Sequence, residues 1–386
     1  MRHKLTLGLA FSGFIIYAMP NSMLGIAWPS MRQTFGQPLD ALGILLLVLM
    51  AGHLVSSVAN GRFLAQFDYG PVLLASWLLL LVGLLGYVFA PGWGWLLAAA
   101  AVGGFGGGML DAGINTYIAN QHGAREMNWL HASYGLGATA GPLVMTTFIT
   151  NGLAWTRGYL AMAALHGVVV LLMALTLRDW QSAPLPAGER RPRVPYRETL
   201  RRPIVWLGLL VFFLYVGIET GIGQWSYTLL TESRQVAADV AGSWISLYWG
   251  SLTVGRVLIG LIVRYLGSAR TLQLSLLGML LGTLLLALPP TSLPGLMLTG
   301  VSAAAVFPLL TADTGRRTGM AHAANAVGFQ FGASSLGYTL IPGLAGWLAD
   351  GFGLELIAPF FVVMALLMGG AYVLLQGVQQ RRAVVV

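Results

Sequence analysis

The sequence predicts an all-α membrane protein: twelve transmembrane helices in two pseudo-symmetric six-helix bundles, with the N- and C-termini cytoplasmic. Three observations predict it. The 386-residue chain is 56% hydrophobic and only 9% charged, with a mean hydropathy of +0.75, whereas soluble domains carry about 25% charged residues. Its apolar residues gather into runs long enough to cross hydrocarbon, and its longest polar stretch falls at the midpoint.

A crossing helix needs about 20 apolar residues. With that window the runs lie near 5–27, 41–62, 71–90, 95–118, 129–150, 158–177, 204–229, 241–263, 271–289, 293–312, 323–348 and 356–378. Tight turns punctuate them at "PGWG" (91–94), "LPPTSLPG" (288–295) and "GFG" (351–353). The first run follows a basic start and lacks a small-residue cleavage site, so it reads as a retained helix rather than a signal peptide.

Basic residues orient the spans. With the N-terminus inside, cytoplasmic segments hold 17 of the 21 Lys and Arg, and external segments hold only Arg32, Arg157 and Arg234. That asymmetry places both termini inside. It also reads the net charge of +8 as a topology signal facing an anionic leaflet, not as a nucleic-acid surface. The stretch "RDWQSAPLPAGERRPRVPYRETLRRP" (178–203) is rich in proline and arginine, as a linker is. The domain reading is therefore 1–178 for the first bundle, 179–203 for a cytoplasmic linker and 204–386 for the second bundle.

The halves resemble each other weakly. Gly61-Arg62 and Gly255-Arg256 are 194 residues apart, Gly70 and Gly267 are 197 apart, and "GLGATAGP" (135–142) matches "QFGASSLG" (330–337) at 195. Matches at nearly one offset favour duplication, and two six-helix repeats place a substrate site near the midplane between them.

Several chemistries are excluded or unsupported. There is no cysteine, so disulfides and thiolate sites are absent. "GGFGGG" (103–108) has no preceding strand and lies in a span, and no phosphate-binding GxxxxGK[ST] loop occurs. The six histidines (3, 53, 122, 131, 166 and 322) show no metal-ligand spacing. No enzyme, cofactor or metal is expected. A sensor or assembly protein would need a signalling domain or a long tail, and the tail here is "QQRRAVVV".

Of the 13 acidic residues, two fall well inside spans: Asp111 in the fourth and Glu219 in the seventh. Gly104, Gly108, Asp111 and Asn115 share one helix face, whose glycines permit close helix approach. Tyr215 and Glu219 are i, i+4 neighbours, followed by Gln224 and Trp225. Each carboxylate has two readings. It is a structural group bonded to a neighbouring helix, with Arg256, the one arginine within a span, as a candidate partner; or it is a proton carrier. A carboxylate in hydrocarbon is costly, and it can take up and release a proton as access changes. Lesser candidates for a solute site are Asn21 after Pro20, His131 and Tyr134 one turn apart, and Asn325 and Gln330 in the eleventh span. A lone histidine such as His131 is more often an interhelical donor. Trp244 and Tyr248 share a face of the eighth span, and Trp225 offers a stacking surface for a sugar ring.

Twelve spans, a charged central loop and a six-plus-six duplication resemble the major facilitator superfamily. The stretches "GGGMLDAGINTYIA", "MNWLHASYGLGATAGP" and "FLYVGIETGIGQW" are similar to its fucose–proton symporter branch. The resemblance implies that Asp111 is a proton-coupling and sugar-site group, that Asn115 is its companion amide, and that Asn128 and His131 open the fifth span. Two departures are plain. The first span lacks the second acid of that branch, with Asn21 its nearest polar residue and Glu219 on a different helix. The signature after the second span has Phe67 where an aspartate stands, with Asp68 adjacent. The resemblance implies a monomeric, multi-pass protein of the plasma (inner) membrane. Its partners would be protons and a sugar-like small molecule, carried by secondary active symport through alternating access. The alternative is a proton-driven exporter of amphipathic compounds, which 15 methionines and 16 phenylalanines keep open.

Overall fold

In a bilayer every backbone N–H and C=O must be satisfied internally, which favours helices wherever apolar runs occur. The computed structural model describes residues 2–180 and 194–384, and these contain no strand. In order the helices are α1 (Arg2–Thr34), α2 (Ala41–Gln66), α3 (Tyr69–Val88), α4 (Trp93–Gln121), α5 (Ala124–Thr150), α6 (Trp155–Leu175), the short α7 (Tyr196–Leu200), α8 (Pro203–Thr228), α9 (Ala238–Leu286), α10 (Ser292–Ala303), α11 (Val306–Ala312), α12 (Thr314–Thr318), α13 (Met320–Phe352) and α14 (Ile357–Val384).

Boundaries differ from the sequence reading at several helix ends. α1 continues through Pro20 and Pro29. The eighth and ninth runs, numbered together as α9, are two helices that meet at Gly267, whose φ of 74° is open to glycine and strained for other residues. The tenth run divides into α10 and α11. Residues 181–193, half of the expected linker, lie outside the described residues; after them α7 begins.

Among the described residues nine helices are long and apolar enough to cross a membrane, α9 counting once. α5 and α13 are not among them. They carry Asn128 and His131, and His322, Asn325 and Gln330, respectively. Val58, Val257 and Leu374 expose 78%, 65% and 62% of their surface, as side chains facing lipid do.

The chain divides into two units. One comprises residues 1–187 with 236–246, the other 188–235 with 247–386. In the first, Phe14, Leu73, Trp77, Leu110 and Tyr117 are core residues. The glycines of α4 allow it to pack on two neighbours. Gly104 and Gly108 sit against the Leu49 and His53 carbonyls of α2, while Gly106 sits against Leu79 and Leu80 of α3. At the start of α5 the Gly123 N–H donates to Glu126 Oε2 at 3.1 Å. This bond, with one from the Glu126 N–H, holds that carboxyl below its ordinary value.

In the second unit α8 is central: Gly217 packs on Ile341 of α13 and Gly221 on Phe361 of α14. Arg234 ties together the helix ends. Its Nε and Nη2 donate to Glu355 at 3.0 and 2.8 Å, and its Nη1 donates to the Leu286 carbonyl at 2.8 Å and to Ser292 Oγ at 2.6 Å. The Arg234 side chain is 5% exposed and Glu355 is 51% exposed, so the ion pair is screened and the neutral acceptors matter more. Arg234→Ala is expected to destabilise the second unit by about 2–3 kcal/mol, read as a lower thermal midpoint in detergent. Glu355→Gln should cost under about 1 kcal/mol.

α7 is tied to α13. Thr199 Oγ1 lies 3.0 Å from His322 Nδ1, and Arg202 Nη1 donates to the Thr318 carbonyl at 2.6 Å.

Candidate functional site

In the first unit, the packing of Gly108 on the His53 carbonyl brings one turn of α4 onto one turn of α2. Asp111, three residues on, therefore faces His53: Oδ2 lies 4.0 Å from Nε2. Asn115 Nδ2 donates to Asp111 Oδ1 at 2.9 Å and to the Asp111 carbonyl at 2.8 Å. On the far side of the imidazole, His53 Nδ1 is 3.5 Å from Ser57 Oγ, which donates to the Gly108 carbonyl at 3.1 Å. The Asp111 side chain is 41% exposed, whereas its neighbours Leu110 and Ile114 are 2% and 3% exposed. A carboxylate on a spanning helix thus opens onto free space.

Tyr134 and His131 of α5 group with α1 aromatics. Ring centroids are 5.6 Å apart for Phe14 and Tyr134, 6.0 Å for Tyr17 and Tyr134, and 6.4 Å for Phe14 and His131. Tyr17 donates to the Gly107 carbonyl at 3.4 Å, joining this group to α4. Asn21 lies one turn further along α1 and is half-buried.

In the second unit Tyr215 donates to Glu219 Oε2. Arg256 Nη2 lies 3.7 Å from Glu219 Oε1, with the two side chains 28% and 12% exposed. Tyr248 donates to the Glu219 carbonyl at 2.7 Å. Glu219 is thus enclosed and charge-paired, where Asp111 is open and faces a histidine. Gln224 bonds the Tyr338 hydroxyl.

Three further candidates are committed to protein partners. Trp225 is fully buried, and its Nε1 donates to the Pro342 carbonyl at 2.8 Å; an indole so enclosed has no open face for a sugar. Asn325 donates to the Val194 carbonyl at 2.9 Å and Thr199 at 3.2 Å, holding the α7 segment. Gln330 Oε1 accepts from Thr314 Oγ1 at 3.0 Å.

The internal repeat appears most clearly in α1 and α8. Gly137 of α5 sits on the Ile15 carbonyl, and Gly337 of α13 sits on the Phe213 carbonyl. Ile15 and Phe213 are 198 residues apart, and the same offset pairs Phe14 with Phe212, Tyr17 with Tyr215, and Asn21 with Glu219. The acid of the second unit therefore occupies the position that Asn21 holds in the first.

Metal spacing does not single out His53; the signal that does is a histidine within one of the most apolar spans. Tyr338 carried no such signal.

Comparison with known proteins bears on this geometry. Residues 10–329 match the Major Facilitator Superfamily. The chain is 25% identical over 385 residues to the glucose/mannose transporter GlcP of Bacillus subtilis (strain 168), covering 96% of this chain and 94% of that protein. A bacterial homologue of the human lysosomal transporter Spinster, inward-facing and unoccupied, superposes with a TM-score of 0.82 at 13% identity, covering 98% of both chains. A D-xylose-proton symporter gives 0.72 at 16% identity, covering 95% of this chain and 97% of that one. The MFS transporter FucP, in the outward conformation, gives 0.63 at 16% identity, covering 96% and 99%. At these identities the structural likenesses establish the fold alone. The family and these neighbours are transporters, and the fold is that of a multi-pass membrane protein. With its family match spanning most of the sequence, this chain belongs to the Major Facilitator Superfamily.

Proposed function

We propose that the chain is a secondary active transporter that couples proton entry to uptake of a sugar or similar small polar solute by alternating access. In this reading it is a twelve-helix protein of the plasma (inner) membrane with both termini cytoplasmic. The observation that carries the reading is Asp111: a carboxylate on a spanning helix, 41% exposed and facing His53 instead of an arginine. A carboxylate without a fixed cation can gain and lose a proton at modest cost, and it gains a reason to do so when a solute arrives beside it. Asn115, Tyr134 and His131 supply donors and acceptors of the kind that bind hydroxyls. The sugar relative GlcP, alike over nearly the whole chain, supports that solute class. Glu219, already neutralised by Arg256, serves the second half as a conformational charge pair in this reading.

The test uses proteoliposomes holding a pH-sensitive dye, challenged with a panel of unlabelled monosaccharides. Internal acidification with one sugar is expected, and none in the Asp111→Asn protein. Silence across the panel, together with proton-dependent movement of lipophilic cations, would replace the symporter with the exporter.

A further inference from the structure

Away from these groups, the second unit holds a cavity of about 240 Å³ lined by Ala269, Asp313, Arg316, Arg317, Tyr372 and Gln376, with Gln379 and Gln380 at the α14 end. Its chemistry is that of an anion site. Arg317 forms the inner wall: its side chain is 8% exposed and its guanidinium stands 5.9 Å over the Tyr372 ring. Nη2 of Arg317 donates to Asp313 Oδ2 at 3.2 Å. Its Nε, also buried, has no hydrogen-bond partner. Arg316 Nη2 pairs with the same Oδ2 at 3.0 Å and is 64% exposed, which places it nearer solvent. Two guanidiniums share one carboxylate, so this trio retains one positive charge.

Ala269 lies in the first turn of the helix that restarts after the Gly267 break. The N–H groups of such a turn and the helix dipole favour negative charge. The remaining lining is uncharged and polar: Gln376 Nε2 donates to the Tyr372 hydroxyl at 2.8 Å, and the two following glutamines add amides suited to hydroxyls. The excess positive charge of the two arginines, beside a helix start, fits an anionic oxygen. The volume exceeds the needs of a bare phosphate.

We propose that this cavity binds a phosphate ester carrying hydroxyls, either the headgroup of an anionic phospholipid or a soluble polyol phosphate. The phosphate takes Arg316 beside the start of the helix that carries Ala269, and the hydroxyls take the glutamines. The site stands apart from the transport reading and does not depend on it.

The experiment compares the full chain and Arg316→Gln in nanodiscs of zwitterionic phosphatidylcholine. Arg316 is exposed enough for the variant to keep the fold. The first arm titrates sn-glycerol 3-phosphate against glycerol and sodium chloride at matched ionic strength; the second replaces part of the lipid with phosphatidylglycerol. The thermal midpoint of the native chain is expected to rise in at least one arm, with apparent affinity at least tenfold weaker in Arg316→Gln. A rise with the soluble ester identifies a polyol phosphate; a rise with the lipid alone identifies a headgroup. No rise in either arm, or an equal rise in the variant, overturns the proposal.

Discussion

Asp111→Asn is expected to reduce proton-driven solute accumulation to the level of empty liposomes while leaving the protein folded. Asparagine is nearly isosteric, and its Oδ1 can still accept the bond that Asn115 Nδ2 makes to Asp111 at 2.9 Å. The thermal midpoint should therefore move by no more than about 1 kcal/mol allows. What is lost is the one property an amide cannot imitate, the binding and release of a proton. Solute counterflow, which needs only the cycle of the loaded carrier, should persist. Accumulation and counterflow measured on the same preparation decide the matter. Accumulation that survives removes Asp111 from the coupling step; loss of both would make its role one of binding or structure.

Arg256→Leu is expected to have the largest effect on stability. Glu219 is 12% exposed, and deleting its guanidinium leaves an enclosed carboxylate without compensation, a loss of about 3 kcal/mol. Tyr215 continues to donate to the carboxylate, and Tyr248 to the backbone carbonyl, but neither replaces a charge. The double variant Arg256→Leu/Glu219→Gln should recover most of that loss, because it removes the buried charge along with its partner. Thermal midpoints of the two single variants and the double variant in one detergent give the coupling directly. Additive losses would mean that the 3.7 Å approach contributes no stability.

Hydropathy alone exposes most of this fold, since bilayer thickness sets helix length and unpaired backbone is excluded from lipid. Between the eighth and ninth runs "RYLGSAR" reads as a loop, and there the chain turns at Gly267 with helix on both sides. The site was legible in part. Periodicity gives the face of a helix on which a residue lies, but not which helix stands opposite. Arg256 could be matched to Glu219 because it is the one arginine inside a span, whereas His53 could be matched to Asp111 only once Gly108 was seen on the His53 carbonyl. The repeat is detectable, but its offset is not uniform: Ile15 and Phe213 pair α1 with α8 at 198, while the glycines seated on them, Gly137 and Gly337, pair α5 with α13 at 200. Trp225 shows the opposite failure. Its polar neighbours suggested an exposed ring, and its indole is instead bonded to the Pro342 carbonyl.

α5 and α13 are less apolar than the helices around them, and this bears on how the protein is made. A segment carrying Asn128 and His131, or His322, Asn325 and Gln330, partitions poorly from the translocation channel into lipid by itself. Each has a seat prepared earlier in synthesis: Gly137 fits the Ile15 carbonyl of α1, and Gly337 fits the Phe213 carbonyl of α8. These two helices would then leave the channel with help from the nascent chain already in the membrane, so a packing defect in α1 or α8 would surface during biogenesis as a missing fifth or eleventh crossing.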